Sequence, residues 1–170
     1  LQLPPEWTLT FYLVPRDPDY YASLRQRYEG PRIRFLPAVP LETLPNVLNA
    51  YDVGLFLLRP RTTNHEFVLP NKFFEYVQAR LSLCVADLPE MARLVKENGL
   101  GVLVPKVTPA SIADQINALT RDKIDAYKKA SMAAARKLSW ESEAEVMLRA
   151  YGIEPAVQPA TTKSPLVASA

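Results

Sequence analysis

Val53-Gly54-Leu55-Phe56-Leu57-Leu58 leads, through the polar stretch Arg59–Leu69, into Pro70-Asn71-Lys72-Phe73-Phe74-Glu75-Tyr76. The first segment is apolar without alternation, the pattern of a strand covered on both faces in a parallel sheet. The second opens a helix. Proline at a helix start gives up only a donor that would be orphaned there, and asparagine can cap. A buried strand feeding a helix through a long polar loop is the repeating unit of an α/β fold. The loop is long for such a connection, which marks it as a candidate for function.

The alternation extends in both directions. Thr8–Val14 is apolar and β-rich, and Arg32–Leu36 reads as a short strand. Between them Tyr20, Leu24 and Tyr28 recur at helical spacing over Asp19–Tyr28. Leu41, Leu44, Val47, Leu48 and Tyr51 predict a helix over Pro40–Tyr51. Downstream lie a helix over Asn71–Arg80, a strand at Ser82–Ala86 and a helix at Pro89–Asn98. Gly99 is placed as a left-handed cap, and a strand follows at Val102–Val104. Helices over Pro109–Leu119, Asp122–Leu138 and Trp140–Tyr151 then follow with no strand between them. The expected architecture is a Rossmann-like parallel sheet of about five strands with helices on both faces and a helical C-terminal segment. Residues 1–151 form one domain. Residues 152–170, rich in Pro, Ala, Ser and Thr, are expected to be a flexible tail.

Composition narrows the function classes. The 170 residues are 48% hydrophobic and 22% charged, with a net charge of +2. That is ordinary globular usage, with no bulk electrostatic case for nucleic acid. No apolar run reaches the length of a membrane span, and LQLPPEW has neither the basic start nor the apolar core of a signal peptide. The cytoplasm is the expected compartment. A single cysteine, Cys84, excludes an internal disulfide and a cysteine-rich zinc site, and its apolar neighbours make it a structural thiol.

The chemistry gathers at the strand–helix junction. Ligands of parallel α/β sheets bind beyond the carboxyl ends of the strands. The helix starting near Asn71 points unpaired N–H groups and a positive dipole end at that edge, and Lys72 adds a full charge. Such a place suits a diphosphate. Glu75, three residues on, shares a face with Lys72. A carboxylate there does not hold phosphate; its natural partner is a pair of hydroxyls, as on a ribose. The competing reading of this pattern is an ordinary solvated helix face. His65, the only histidine, and Glu66 stand in the preceding loop, where they either meet a donor sugar or are surface residues. Arg59 and Arg61 either approach phosphates or are solvated. Trp140, Val146, Met147, Leu148 and Tyr151 give the last helix apolar side chains on more than one face, so part of it is expected to be exposed in this chain.

Several runs together carry a family resemblance: Ala50-Tyr51-Asp52-Val53-Gly54-Leu55, the Leu69–Tyr76 block, Ala86-Asp87-Leu88-Pro89-Glu90-Met91, Asn98-Gly99-Leu100-Gly101 and Ser139-Trp140-Glu141. They resemble the C-terminal donor-binding domain of GT-B glycosyltransferases, in particular the retaining group 1 (family 4) enzymes. The resemblance covers roughly Trp7–Tyr151. It implies that Glu75 binds the donor ribose and Lys72 lies near the diphosphate. Asn71, His65 and Glu66 complete the candidate nucleotide-sugar site. Where many members carry a further loop glutamate, this chain has Phe67, and Glu66 or His65 is the candidate replacement. The usual Ala-Gly-x-Pro turn is here Ala79-Arg80-Leu81-Ser82, which changes the turn chemistry.

The resemblance also implies an N-terminal acceptor domain missing from this chain, which starts at what resembles the family's second strand. The expected function is therefore the donor-binding domain of a retaining glycosyltransferase that moves a sugar from a nucleotide diphosphate to an acceptor hydroxyl, inactive alone. No metal or other cofactor is expected, the nucleotide sugar being a substrate. The alternative is a non-catalytic α/β module for nucleotide binding or protein interaction. Lys128, Lys129, Arg136 and Lys137 form a basic helix face, either solvated or a peripheral membrane contact of the full enzyme.

Overall fold

A computed structural model describes residues 3–153. The expected tail, residues 152–170, lies outside the described residues except for its first two positions. Five strands alternate with helices in the order β1 (Leu9–Leu13), α1 (Pro18–Tyr28), β2 (Ile33–Pro37), α2 (Leu44–Leu48), β3 (Val53–Phe56), α3 (Thr63–Glu66), α4 (Asn71–Gln78), β4 (Ser82–Ala86), α5 (Pro89–Asn98) and β5 (Gly101–Val104). Three helices close the described chain: α6 (Pro109–Asn117), α7 (Arg121–Ala134) and α8 (Trp140–Ala150).

Every strand pairing is parallel, as expected of a Rossmann-like α/β chain, but the strands form two sheets, β1–β2 and β3–β4–β5, where one sheet was expected. The reason lies in which edges are used. Leu9 donates its N–H to Arg32 O at 2.8 Å, which turns β1 toward β2. Ser82 donates to Asp52 O at 3.0 Å, which turns β3 toward β4. Among the described residues the remaining edges of β1 and β3 do not pair; both line a cavity of about 310 Å³. Side chains bridge this gap: the Tyr12 and Tyr51 hydroxyls share a hydrogen bond of 2.9 Å. The Arg32 guanidinium donates to the carbonyls of Leu3, Pro4 and Trp7, tying the N-terminal segment to β2. Leu3 and Trp7 in turn pack, as Val53, Leu55 and Leu57 do, against the buried cluster of Cys84, Val104 and Ile116.

The core centres on β4, whose five residues are all buried. Period-2 alternation divides it between the two faces. Leu83 and Val85 pack with Phe73 and Val77 of α4 and with Met91, Leu94 and Val95 of α5. Cys84 faces the other way, toward Val104 and Ile116. Helices therefore cover both faces. Burial pushes the Cys84 thiol up to about 12, in keeping with a structural role. Gly101 is required by contact: a Cβ there would overlap the Leu83 carbonyl. Gly54 likewise gives the Tyr76 ring its seat, since a Cβ would stand 2.5 Å from Cγ.

Some elements differ from the sequence expectation. The helix expected over Pro40–Tyr51 shortens to α2, because Pro45 fits only its first turn. Ahead of it, Thr43 turns back on Pro40 O through both N–H (3.1 Å) and Oγ1 (3.0 Å). The loop Arg59–Leu69 contains the single turn α3, capped by Thr62, whose Oγ1 accepts from His65 N–H at 3.3 Å. Asn71 is the first residue of α4 rather than its cap; Pro70 holds the cap position without a side-chain bond. Gly99 takes the left-handed conformation expected of it, with φ 64°. On α8, Trp140, Val146, Met147 and Tyr151 are exposed and Leu148 is half-buried.

Candidate functional site

The junction after β3 positions the site. Because α4 runs back along its sheet, its first turn sits at the carboxyl edge of β3, and its face toward Phe73 and Val77 is buried. That burial sets the rotation of the helix. Residues one position before and two after Phe73 then fall on the same outer flank, and these are Lys72 and Glu75. Both line the cavity between β1 and β3. Lys72 Nζ and Glu75 Oε2 are 3.8 Å apart, with the lysine side chain 60% exposed and the carboxylate 23%. At that distance and exposure the pair attracts only weakly. The lysine stays available to a further anion, and the more sheltered Glu75 lines the cavity with it.

The cavity floor is made of strand and small helix. Tyr12, Leu13, Gly54 and Leu55 contribute from β1 and β3, and Leu44, Leu48 and Tyr51 from α2 and the turn after it. Tyr76 closes one side; its hydroxyl donates to Leu55 O at 3.2 Å. Burial raises the Tyr76 phenol, and the neighbouring Glu75 charge adds to the shift. The hydrogen bond to Tyr51 is the largest influence on the Tyr12 phenol, which is pushed up to about 12. Both phenols are therefore neutral hydrogen-bonding groups at neutral pH.

The other sequence candidates lie apart. His65 is half-buried in α3, and its Nδ1 accepts from Arg61 N–H at 3.3 Å. Glu66 and Phe67 are exposed, and neither they nor His65 and Asn71 line the cavity. Arg59 is committed to structure: its Nε donates to Val107 O at 2.8 Å, joining the loop after β3 to the segment after β5. Glu90 pairs with Arg93 at 3.0 Å in the first turn of α5. Lys128, read as part of a basic face, instead donates to Tyr51 O at 2.8 Å and stands 3.4 Å from Asp52. Lys129, Arg136 and Lys137 remain at the surface or close to it.

Sequence reasoning found Lys72 and Glu75 but not the tyrosines around them. Tyr12 and Tyr51 are 39 positions apart and meet only because β1 and the end of α2 flank one gap. A signal existed for Tyr76 alone: Gly54 inside an otherwise bulky apolar strand announces close approach by a neighbour.

The family model for glycosyl transferases group 1 matches residues 2–122, a span that holds β1 to β5 and the whole cavity. No curated protein matches the chain.

Proposed function

Since the chain belongs to the group 1 glycosyltransferases, we propose that it is the donor-binding part of a retaining enzyme that transfers a sugar from a nucleoside diphosphate to an acceptor hydroxyl. The observation that carries this reading is the placement of Lys72 and Glu75 side by side on one cavity at the carboxyl edge of β3. Lys72 and the unpaired N–H groups at the start of α4 offer positive charge to a diphosphate. Glu75 accepts hydrogen bonds from the two ribose hydroxyls, so nucleotide and charge are read by one helix.

In the transfer itself, the bond between the sugar's anomeric carbon and the diphosphate oxygen breaks. A bond to the acceptor oxygen forms, and the acceptor's proton is released. Negative charge grows on the diphosphate as it leaves. Lys72 and the helix end act where that charge develops, which is where fixed charge lowers a barrier. The acceptor is held by a separate domain in this reading, and transfer requires both.

The test is titration calorimetry of the chain with UDP, GDP and ADP. Charge-assisted hydrogen bonds of this kind contribute roughly 1.5–3 kcal/mol, so Glu75→Ala weakens binding of the preferred nucleotide by on the order of tenfold or more. Equal affinity for wild type and Glu75→Ala removes the ribose assignment.

A further inference from the structure

We infer that Arg59 is a positioning residue for the sugar end of the donor: by tying the loop after β3 to the segment after β5, it holds the turn that carries His65 and Glu66 in place for the transferred sugar. This rests on the donor-site reading above. The two ends of the loop are held by packing. Leu58 at one end and Val68 and Leu69 at the other lie against the buried cluster that includes Phe73, Val85 and Met91. Between those anchors every residue except His65 is exposed. An exposed segment of this kind has little to fix it but its hydrogen bonds.

Most of those bonds are local. Arg61 N–H meets His65 Nδ1 at 3.3 Å, and the N–H groups of Glu66 and Phe67 close the α3 turn on Thr62 O and Thr63 O at 3.1 and 3.2 Å. They give the turn its shape but not its place. Among the described residues one hydrogen bond joins the loop to a distant part of the chain: Arg59 Nε donates to Val107 O at 2.8 Å, across 48 positions. Val107 packs against the same buried cluster, and Thr108 caps α6 directly after it, so the acceptor is itself fixed.

The direction of the donor along α4 decides what the loop meets. Glu75 stands three residues beyond Lys72, about 4.5 Å further along the helix axis. With ribose at Glu75 and diphosphate at Lys72, a nucleoside diphosphate sugar continues past the first residue of α4, and the chain there is the loop. His65 and Glu66 do not line the cavity that Lys72 and Glu75 share, so the nucleotide makes no use of them. With Nδ1 accepting from Arg61, the His65 ring carries its proton on Nε2 as a donor, and Glu66 supplies acceptor oxygens. A donor beside an acceptor suits sugar hydroxyls, which do both. Losing the tether frees this turn without touching Lys72 or Glu75, so the loss falls on the sugar's share of binding.

The experiment titrates the full chain with UDP, GDP and ADP and with their hexose derivatives, and follows amide hydrogen exchange without ligand. In Arg59→Met, which keeps the stem and loses the donor, the amides of Arg61, His65, Glu66 and Phe67 exchange about two- to tenfold faster. The affinity advantage of the nucleotide sugar over its nucleoside diphosphate falls by about the same factor, while affinity for the nucleoside diphosphate alone is unchanged. Arg61→Met removes the same charge from the same loop and leaves both readouts at wild type. Unchanged loop exchange in Arg59→Met, an equal loss for nucleotide and nucleotide sugar, or equal effects of the two substitutions overturns the proposal. A wild-type chain that binds the nucleotide sugar no more tightly than the nucleotide overturns it too, with the donor site left standing. A wild-type chain that binds no nucleotide removes the donor-site reading and the sugar assignment together, and the ligand-free exchange then judges the tether alone.

Discussion

Arg80 ends α4 with φ 58°, the one non-glycine residue among those described with positive φ. The position is a helix-terminating turn. Arg80 N–H reaches Val77 O at 2.9 Å and Leu81 N–H reaches Tyr76 O at 3.0 Å, while Leu81 is buried. These are the paired bonds of a Schellman end, which glycine usually provides. The sequence had flagged the spot, since glycine stands there in the resembling family. The turn nevertheless forms, and its cost falls on Arg80. An L-residue held in this region costs roughly 1–2 kcal/mol. Glycine removes that strain but adds about 0.5–1 kcal/mol of unfolded-state freedom. Arg80→Gly therefore stabilises the domain by about 0.5–1 kcal/mol. Arg80 is exposed and makes no ion pair among the described residues, so little else changes. For a chain of this size the melting temperature rises by about 1–4 °C. Urea unfolding supplies the assay: the midpoint moves up while the slope stays constant. Arg80→Ala keeps the strain and serves as the control, with stability near wild type. A loss of stability in Arg80→Gly, or an equal gain in Arg80→Ala, refutes the backbone argument.

Other substitutions test separate parts of the structure. Gly101→Ala drives a methyl group into the Leu83 carbonyl of the neighbouring strand, so a loss of about 3 kcal/mol or more is expected, seen as a lowered urea midpoint. The Cys84 thiol is raised in the folded state from 9.0 to about 12 by burial. The native state thus holds its proton where the unfolded state has lost it. The associated stability is fully present below pH 9 and declines as pH rises toward 12. Unfolding free energies measured between pH 8 and 12 fall less steeply for Cys84→Ala than for wild type. Identical slopes show that the thiol does not titrate across that range. In native protein at neutral pH, a water-soluble thiol reagent modifies Cys84 only at the rate of opening, and denaturant makes the reaction immediate.

The α/β class and the elements that frame the site were legible because their signals are local. VGLFLL is apolar at every position, and that requires two covered faces wherever it sits. Pro70 and the Lys72/Glu75 spacing fix a helix start and a shared flank within two turns, through bonds that span no more than four residues. Gly99 announced its left-handed cap for the same reason. Elements governed by competition among distant groups were not legible. Nothing local reveals that β1 and β3 fail to pair, because each strand's composition suits a central position and the pairing depends on what else reaches its edge. The Tyr12–Tyr51 hydrogen bond, Arg59 bound to Val107 O and Lys128 bound to Tyr51 O join residues 39, 48 and 77 positions apart. Whether a lysine on a helix is a solvated charge or a tether to a distant carbonyl depends on where the packed core brings that carbonyl. Periodicity along the chain carries no record of it, and only the closure of long-range contacts settles the matter.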